Sequence, residues 1–450
     1  MKTNMGYITT GWVTAQKGCW SMLKGGFSDV SGIAQLYFES QNSAVEIWVD
    51  SISLQPFTQE EWKSHQEQSV NKVRKSKVKF VVVDQKKRPI PNATVSMKQT
   101  SSKFPFGCAI NYNILFNPNY QKWFTSRFKL SVFENELKWY STEQSQGHVD
   151  YSTSDALLKF CDSHSITVRG HNILWDVQNG NPSWVQSLSP DALQKATNGR
   201  VLSVVNKYKG RYSQLDVVNE NIHGHFYEDK LGSSASVIFY NMTSQIDPDA
   251  TLFLNDYNTI EESRDGNASP WKYLKKIKDF REFGYEGSLA IGLEGHFSYM
   301  SLPYIRAAID VVAAAKLPIW VTELDVSAGP NQASFLEQIL NELHAHPNLE
   351  GMMLWSARSP GGCYQMCLTD NNFNNLATGD VVDNFISYLS HKADSPGSGS
   401  TDANGIYVKS LFHGEYEVTV HHPNGVISSR QVDVVPREEA QGLHVVSIQI

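Results

Sequence analysis

The sequence predicts an α/β protein in which a parallel (β/α)8 barrel is flanked by β-rich, sandwich-like segments. Strand-like apolar runs alternate with helical patterns between residues 104 and 392, and this alternation favours a parallel barrel. A doubly wound open sheet is the alternative, but no glycine-rich phosphate-binding fingerprint follows the first run. The eight runs are 106–110, 130–133, 166–169, 215–218, 251–254, 289–292, 319–322 and 352–354.

The sequence before the barrel predicts strands, then a helix, and then strands again. Residues 1–57 contain two stretches, 34–40 and 44–54, that alternate apolar and polar side chains as a half-buried strand does. Thr58 with Glu61 three residues later forms a capping box, which predicts an exposed linker helix over residues 58–77. Residues 78–103 predict two strands around a proline-containing turn.

The chain after the barrel predicts a linker and a small sheet. Residues 393–400 are rich in glycine and serine, a composition typical of a flexible linker. Residues 401–450 alternate strand-like stretches with turn sequences. We expect this C-terminal β-domain to pair with residues 78–103, so that the barrel is bracketed by one split β-sandwich.

The composition excludes several classes of protein. Thirty-nine basic residues against 46 acidic residues give a net charge of −7, which argues against a dedicated nucleic-acid binder. No run of 18 apolar residues occurs, so we expect no membrane-spanning helix. Five cysteines are too few for a disulfide scaffold. The first residues lack the basic, apolar and small-residue order of a signal peptide.

Each of the eight predicted strands ends in polar or aromatic side chains. In a barrel, active residues lie at the C-terminal ends of the strands, so all of these side chains would line one rim. They are, in strand order, Asn111; Glu134, Asn135 and Lys138; His171 and Trp175; Asn219 and Glu220; Asn255, Asp256 and Tyr257; Glu294 and His296; Glu323 and Asp325; and Trp355.

Two carboxylates directly follow strongly apolar strands, Glu220 after the fourth and Glu323 after the seventh. These strands face one another across an eight-stranded ring. Cleavage of a glycosidic bond needs a protonated acid and an ionised carboxylate on two sides of the sugar, and two opposed Glu residues provide both. The alternative is that both side chains form ion pairs with Lys or Arg at the barrel mouth.

Seven sequence motifs follow one another along the predicted barrel. They are FENELKW (133–139), VRGHNILW (168–175), DVVNE (216–220), LFLNDYN (252–258), IGLEGHF (291–297), VTELD (321–325) and MMLWS (352–356). In this order they resemble the motifs of glycoside hydrolase family 10, the retaining endo-β-1,4-xylanases, and of its plant members in particular. Residues 10–57 also resemble the C-terminal half of a family 22 xylan-binding module, and the tail resembles the small β-domain that ends the plant enzymes.

The resemblance implies a role for each matching residue. Glu220 matches the general acid/base and Glu323 the nucleophile, with Asn219 on the 2-hydroxyl of the reacting sugar. His296 would lie beside the nucleophile and be oriented by Asp325. The residues implied to bind sugar are Glu134, Asn135, Lys138, His171 and Trp175 on the glycone side, Trp355 as the lid over them, and Tyr257 on the aglycone side.

Two positions depart from the commonest microbial pattern. Asp176, which follows Trp175, replaces the His of that pattern. Glu294, two residues before His296, replaces a Gln. The loop after Trp355 also differs from the microbial barrels, which affects the expected contacts on the aglycone side. We therefore expect an active enzyme whose affinity or pH optimum differs from the microbial pattern.

The resemblance implies double displacement on xylan by a monomeric, extracellular or cell-wall protein that needs no cofactor and no metal. The missing signal peptide then indicates a chain that starts part-way through a longer secreted protein. A xylan transglycosylase and a catalytically silent polysaccharide-binding barrel are the alternatives. A metal-dependent barrel hydrolase is a further alternative.

Three other features have simple interpretations. His223 and His225 are spaced like a metal pair but lack a clear set of further ligands, so a polar or sugar-contacting loop is favoured. Cys363 and Cys367 lie four residues apart in a glycine-rich loop, where a local disulfide is expected in an oxidising compartment. Trp48 is expected to pack in the core of its strand.

Overall fold

The computed structural model of the chain describes residues 1–3, 6–15, 17–28, 32–40, 42–390, 397–425, 427–436 and 443–450. The chain divides into two compact units. The barrel unit comprises Met1–Pro56, Phe106–Ile339 and Asn348–Leu376, and the sheet unit comprises Phe57–Pro105, Leu340–Pro347 and Ala377–Ile450. Within the described ranges, no helix combines the length and the apolar character needed to cross a membrane.

The strands of the described residues are β1 (Lys2–Thr3), β2 (Gly6–Tyr7), β3 (Lys75–Val83), β4 (Thr94–Ser102), β5 (Phe106–Ile110), β6 (Leu130–Phe133), β7 (Thr167–Arg169), β8 (Leu174–Trp175), β9 (Gln214–Asn219), β10 (Thr251–Asp256), β11 (Leu289–Phe297), β12 (Ile319–Val326), β13 (Leu349–Leu354), β14 (Gly397–Ser400), β15 (Ile406–Phe412), β16 (Gly414–His421), β17 (Ile427–Val434) and β18 (His444–Gln449).

The α-helices of the same residues are α1 (Gln59–Val73), α2 (Pro118–Thr125), α3 (Trp139–Thr142), α4 (Ser152–Ser163), α5 (Ser183–Gln186), α6 (Pro190–Tyr208), α7 (Phe226–Leu231), α8 (Ala235–Ile246), α9 (Pro270–Glu282), α10 (Leu302–Val312), α11 (Gln332–Ala345) and α12 (Ala377–Leu389). Short 3-10 helices lie at Tyr112–Phe116, Gln178–Gly180 and Ala313–Ala315.

The barrel unit contains a nine-stranded parallel sheet in the order β7-β6-β5-β13-β12-β11-β10-β9-β8. A parallel bridge between Gly170 and Leu215 joins the end of β7 to β9 and closes the ring. In that bridge the Gly170 amide donates to the Gln214 carbonyl over 2.9 Å. All eight predicted runs are strands of this sheet, with the two-residue β8 added on β9. The predicted (β/α)8 barrel is therefore confirmed.

The barrel strands carry apolar side chains on both faces. Both faces are covered, one by side chains of the ring interior and the other by the surrounding helices. All eight residues of β12 are buried, including Glu323 and Asp325 near its C-terminal end. Such continuous burial is typical of parallel strands. Proline at the first turn of α6 and α10 starts both helices, since this position needs no amide donor.

The sheet unit joins strands that lie far apart in the sequence. β3 pairs with β15 in the antiparallel sense and with β18 in the parallel sense. A second sheet has the order β14-β4-β16-β17. Its core is aliphatic, with Val78 and Phe80 from β3 packed among Val95, Val418 and Val420.

The two strands expected at 34–40 and 44–54 do not form. Across the described residues of this segment, the regular pairing is one bridge between Gln35 and Lys2. The prediction that Trp48 packs in a core is also wrong, because Trp48 is 75% exposed and Ile52 is 60% exposed. Alternating hydrophobicity produces a strand only where a second surface covers its apolar face, and in the described part of this segment apolar side chains such as Trp48 and Ile52 are exposed instead.

Helix α1 begins with the predicted capping box, in which the Glu61 amide donates to Thr58 and the Thr58 amide donates to Glu61. It is more than an exposed linker. The Trp62 indole donates to the Glu342 carboxylate over 2.8 Å, and the Ser69 hydroxyl donates to the Ala345 carbonyl.

The predicted linker over residues 393–400 is wrong in its second half. Residues 397–400 form β14, which pairs antiparallel with β4, while residues 393–396 lie outside the described part of the chain. A Cβ at Gly399 would lie 2.2 Å from the Tyr407 ring. The glycine that suggested flexibility is thus needed for close packing in a strand.

Candidate active site

The C-terminal ends of β11 and β12 bring four titratable side chains side by side. In the parallel register of these strands, Glu294 lies opposite Glu323 and His296 lies opposite Asp325. His296 Nδ1 lies 2.9 Å from Asp325 Oδ1, and its Nε2 lies 3.7 Å from Glu323 Oε2. Asp325 therefore orients the imidazole so that its other nitrogen faces Glu323.

Asn255, at the end of β10, connects this group to the end of β9. Its amide nitrogen lies 2.9 Å from Asn219 Oδ1, 2.9 Å from Glu294 Oε1 and 3.0 Å from Glu323 Oε1, so its two hydrogens are shared among three acceptors. The Thr322 hydroxyl donates to the Asn255 side-chain oxygen, which fixes which end of the amide faces the carboxylates.

Glu220 follows β9 directly and has a strained backbone, with φ of +54°. Its amide donates to the Asn255 carbonyl over 2.8 Å, and Asn219 Nδ2 lies 3.4 Å from Glu220 Oε1. Burial raises the pKa of Glu220 to about 7, and the negative charges of Asp256 and Glu323 act in the same direction. Glu220 is therefore protonated in mildly acidic solution.

Glu323 has the opposite electrostatic environment. Burial alone would raise its pKa, but the charges of His171, His296 and Lys138 outweigh burial and hold the pKa below its ordinary value. His171 Nδ1 lies 3.7 Å from Glu323 Oε1. Glu323 is therefore ionised under conditions in which Glu220 holds a proton, a separation that acid and nucleophile roles require.

Both departures from the microbial pattern are buried carboxyl groups. Burial, with the charges of Glu323 and Glu220, raises the pKa of Glu294 well above its ordinary value, and Glu294 Oε1 lies 2.9 Å from Asn255 Nδ2. Burial likewise raises the pKa of Asp176 to about 7. Asp176 accepts a bond from the Tyr227 amide over 2.9 Å.

Lys138 lies at the centre of the predicted sugar-binding wall. Its ammonium lies 4.6 Å from the Trp175 ring centroid and 5.7 Å from the Trp355 ring centroid. It also donates to Asn135 Oδ1 over 3.2 Å, and the Tyr140 hydroxyl donates to the same oxygen. These contacts hold a cation and two indole rings at one rim, a combination suited to sugar hydroxyls and sugar faces.

Glu134 and Tyr257 complete the predicted set. Glu134 Oε2 accepts a bond from Asn111 Nδ2 over 3.3 Å, and burial raises the pKa of Glu134. Tyr257 stacks on His223 with ring centroids 3.9 Å apart. Burial and the charge of Glu220 raise the pKa of the Tyr257 hydroxyl, and the Tyr257 amide donates to Asp256 Oδ1 over 2.9 Å.

Comparison with known proteins decides the family. The sequence profile of glycosyl hydrolase family 10 matches residues 96–362, more than half of the chain. The chain belongs to this family. Family 10 membership is independent of the site geometry, and it agrees with the predicted barrel.

The family 10 chain is similar to plant relatives over most of its length. It is 41% identical over 426 residues to endo-1,4-beta-xylanase 5 of Arabidopsis thaliana, covering 93% of this chain and 74% of the relative. It is 35% identical over 456 residues to endo-1,4-beta-xylanase 4 of the same plant, covering 98% of this chain and 80% of the relative.

Two solved xylanase structures share the fold of the barrel. Native xylanase 10B from Thermotoga maritima matches with a TM-score of 0.54 at 23% identity, covering 64% of this chain and 97% of that one. Xylanase 10B from Thermotoga petrophila matches with a TM-score of 0.54 at 23% identity, covering 63% and 95%.

Sequence reasoning missed two charged residues that support this family 10 site. Arg169 and Asp216 lie inside β7 and β9, are fully buried, and form a two-fold ion pair. The Asp216 carboxylate also lies 2.8 Å from His171 Nδ1. A charged residue inside an otherwise apolar strand was the available signal, because such a residue is rarely buried without a partner.

We expect the Asp216→Ala variant to lose about 3–5 kcal/mol of unfolding free energy, because it leaves the Arg169 guanidinium buried without its carboxylate. Chemical denaturation measures this loss. The matched control is Asp162→Ala, which removes an exposed pair with Arg211 at 2.7 Å and should cost less than about 1 kcal/mol. Equal losses in the two variants would contradict the prediction.

The loop after Trp355 is closed by a disulfide between Cys363 and Cys367. Tyr364, inside this closed loop, lies with its ring centroid 5.3 Å from that of His296. The Ser327 hydroxyl donates to Gln365 Oε1 over 2.6 Å, and the Ser356 hydroxyl donates to the Met366 carbonyl over 2.6 Å. These contacts hold Tyr364 at the rim beside the His296–Glu323 group.

Among the described residues, ligand atoms of Glu294, His296 and Glu323 lie within 4.8 Å of one another, close enough to hold a metal ion. The bonds to Asn255 and Asp325 use Glu294 Oε1, Glu323 Oε1 and His296 Nδ1. His296 Nε2 lies 3.6 Å from Glu294 Oε2 and 3.7 Å from Glu323 Oε2. His223 is a poor ligand, because carboxylates occupy both of its ring nitrogens.

Proposed function

We propose that this chain is an endo-1,4-β-xylanase that cleaves xylan with retention of configuration. The observation that carries the proposal is the opposite perturbation of two buried carboxyl groups at strand ends: the pKa of Glu220 is raised and that of Glu323 is lowered. The names of the plant relatives support xylan as the substrate.

In the first step, Glu323 attacks the anomeric carbon while Glu220 donates its proton to the oxygen of the leaving xylose chain. In the second step, Glu220 removes a proton from water, which displaces Glu323 from the sugar and restores the original configuration. We expect the two carboxyl groups to lie about 5–5.5 Å apart, the spacing of retaining enzymes.

The supporting residues act on the bound sugars. Asn219 binds the 2-hydroxyl of the reacting xylose. His296, oriented by Asp325, stabilises the ionised Glu323 and keeps it ready for attack. Glu134, Asn135, Lys138, His171 and Trp175 bind the glycone with Trp355 as its lid, and Tyr257 binds the aglycone.

Three further proposals come from the family resemblance. The protein acts as an extracellular or cell-wall monomer without cofactor or metal. Residues 10–57 derive from a family 22 xylan-binding module, and exposed aromatic rings such as Trp20 and Trp48 are available there for sugar stacking. The barrel occupies residues 104–392, and β segments on both sides form the accessory domain.

The test is incubation of the protein with glucuronoxylan and with arabinoxylan, followed by separation of the products by size. We expect a ladder of xylo-oligosaccharides rather than xylose alone, because an endo-acting enzyme cuts inside the chain. Proton NMR during the first turnovers of xylohexaose should show the β-anomer first, as retention requires.

Each other outcome excludes part of the proposal. Products longer than xylohexaose would identify a transglycosylase, and xylan binding without products would identify a silent binding barrel. Activity lost on treatment with a chelator would favour the metal-dependent alternative. Glu323→Ala protein from the same preparation controls for contaminating enzymes.

A further inference from the structure

His223 joins the loops that follow β9 and β10. Its Nδ1 lies 2.5 Å from Asp256 Oδ1, and its Nε2 lies 2.9 Å from Asp265 Oδ2. Because a carboxylate only accepts, both ring nitrogens donate and the ring is an imidazolium. A close approach by Gly224 keeps this loop tight, since a Cβ there would lie 2.1 Å from the Asp176 carbonyl oxygen.

The ring of His223 lies flat against Tyr257. Their centroids are 3.9 Å apart and their planes differ by 4°. A cation stacked on an aromatic face is attracted by the ring quadrupole, and this attraction is stronger where water is excluded. Only 11% of the His223 side chain is exposed.

The two aspartate carboxylates that contact His223 are themselves held in place by hydrogen bonds. Asp256 is fully buried, and its Oδ2 accepts the Ile222 amide over 2.6 Å. Asp265 accepts Asn258 Nδ2 over 2.7 Å and the Asn267 amide over 2.9 Å. The imidazolium is therefore held on three sides, at both nitrogens and at one face.

This arrangement leaves His223 with no free nitrogen for acid–base chemistry or for a metal. Burial would lower the pKa of His223, but the bonds to Asp256 and Asp265 outweigh burial and raise it to about 9. His223 stacks on Tyr257, which follows β10 directly. Tyr257 stands two residues after Asn255, whose carbonyl accepts a bond from the Glu220 amide over 2.8 Å.

We propose that His223 is a positioning residue for binding on the leaving-group side of the cleaved bond. Its ring, which is paired with a carboxylate at each nitrogen, supports Tyr257, and Tyr257 presents an aromatic face to the first leaving xylose. This inference rests on the proposed function and deepens it. It assigns to His223 a role in substrate-length preference rather than in bond cleavage.

The test uses two substrates that differ in the leaving group. Xylohexaose has xylose units on the leaving side, whereas 4-nitrophenyl β-xylobioside has none. For His223→Ala we expect kcat/KM on xylohexaose to fall by about tenfold to 100-fold, the cost of a misplaced binding group, with little change on the aryl substrate. Tyr257→Ala should lose at least as much as His223→Ala on xylohexaose, and the double variant should lose no more on this substrate than Tyr257→Ala alone.

The matched control is His225→Ala in the same loop, since His225 is exposed and should change neither substrate. A second variant, Asp265→Asn, loosens the ring without emptying the buried space beside Asp256, and its expected split is smaller but of the same direction. This variant decides the inference if His223→Ala does not fold.

Two results would overturn the inference: equal losses on both substrates, which indicate general damage to the site, or no loss on either. Additive losses in the His223→Ala, Tyr257→Ala double variant would also overturn it, because they separate the two residues. Wild-type protein that cleaves neither substrate would instead refute the proposed function and, with it, this inference.

Discussion

The Glu323→Ala variant should abolish hydrolysis of xylan. The ionised carboxylate at the end of β12 is the nucleophile of the first step in the proposed mechanism, and alanine can neither form nor release a glycosyl intermediate. We expect kcat to fall by at least about 10⁴-fold. Reducing-sugar release from glucuronoxylan measures the loss, and binding of xylohexaose should persist because the sugar-contacting residues remain.

The control for this experiment is Glu337→Ala, an exposed residue of α11 that should keep full activity. Retained turnover in Glu323→Ala would refute the assignment of the nucleophile. Loss of xylohexaose binding together with activity would indicate a collapsed site instead of a missing nucleophile, and circular dichroism would distinguish these cases.

The Glu220→Gln variant should lose general acid catalysis, which is worth about 10²–10⁴-fold on xylan. The sign of the pH effect follows from the raised pKa. Wild-type kcat/KM should fall as the pH rises through about 7, because Glu220 then loses the proton that it must donate. The variant should lack this alkaline decline, because glutamine does not titrate.

A substrate whose leaving group needs no proton distinguishes the loss of general acid catalysis from a general defect of the site. With 4-nitrophenyl β-xylobioside the leaving phenolate needs no proton, so the first step of Glu220→Gln should be little impaired. Added azide should then accept the glycosyl group and restore turnover, since it needs no general base. An unchanged alkaline decline in Glu220→Gln would assign the ionisation to another group.

The barrel and most of the site could be predicted together, because both depend on apolar runs that end in polar side chains. An apolar run that ends in Glu323 and Asp325 specifies a buried strand and places the carboxylates at its rim at once. The pairing of Glu294 with Glu323 could not be read in advance, since it depends on the register between two strands. The role of Asn255 was hidden for the same reason.

Predictions from local sequence patterns were wrong where the structure depends on a packing surface formed by another part of the chain. The segment around Trp48 has the alternation of a strand, but among the described residues it pairs with no sheet. Gly399 has the composition of a linker but lies against the Tyr407 ring in β14. His223 and His225 are spaced like a metal pair, but a polar or sugar-contacting loop was favoured for them. The sequence could not show that two aspartates and a tyrosine from the end of β10 and its following loop surround His223.

The position of β3 between β15 and β18 has a consequence for synthesis on the ribosome. Residues 75–83 emerge early, yet their pairing partners at 406–412 and 444–449 are translated only after the whole barrel. Until then the apolar side chains of Val78, Phe80 and Val82 lack their neighbouring strands. Nascent chains that stall within the barrel would therefore be prone to aggregate and would depend on chaperones, even when the barrel itself has begun to fold.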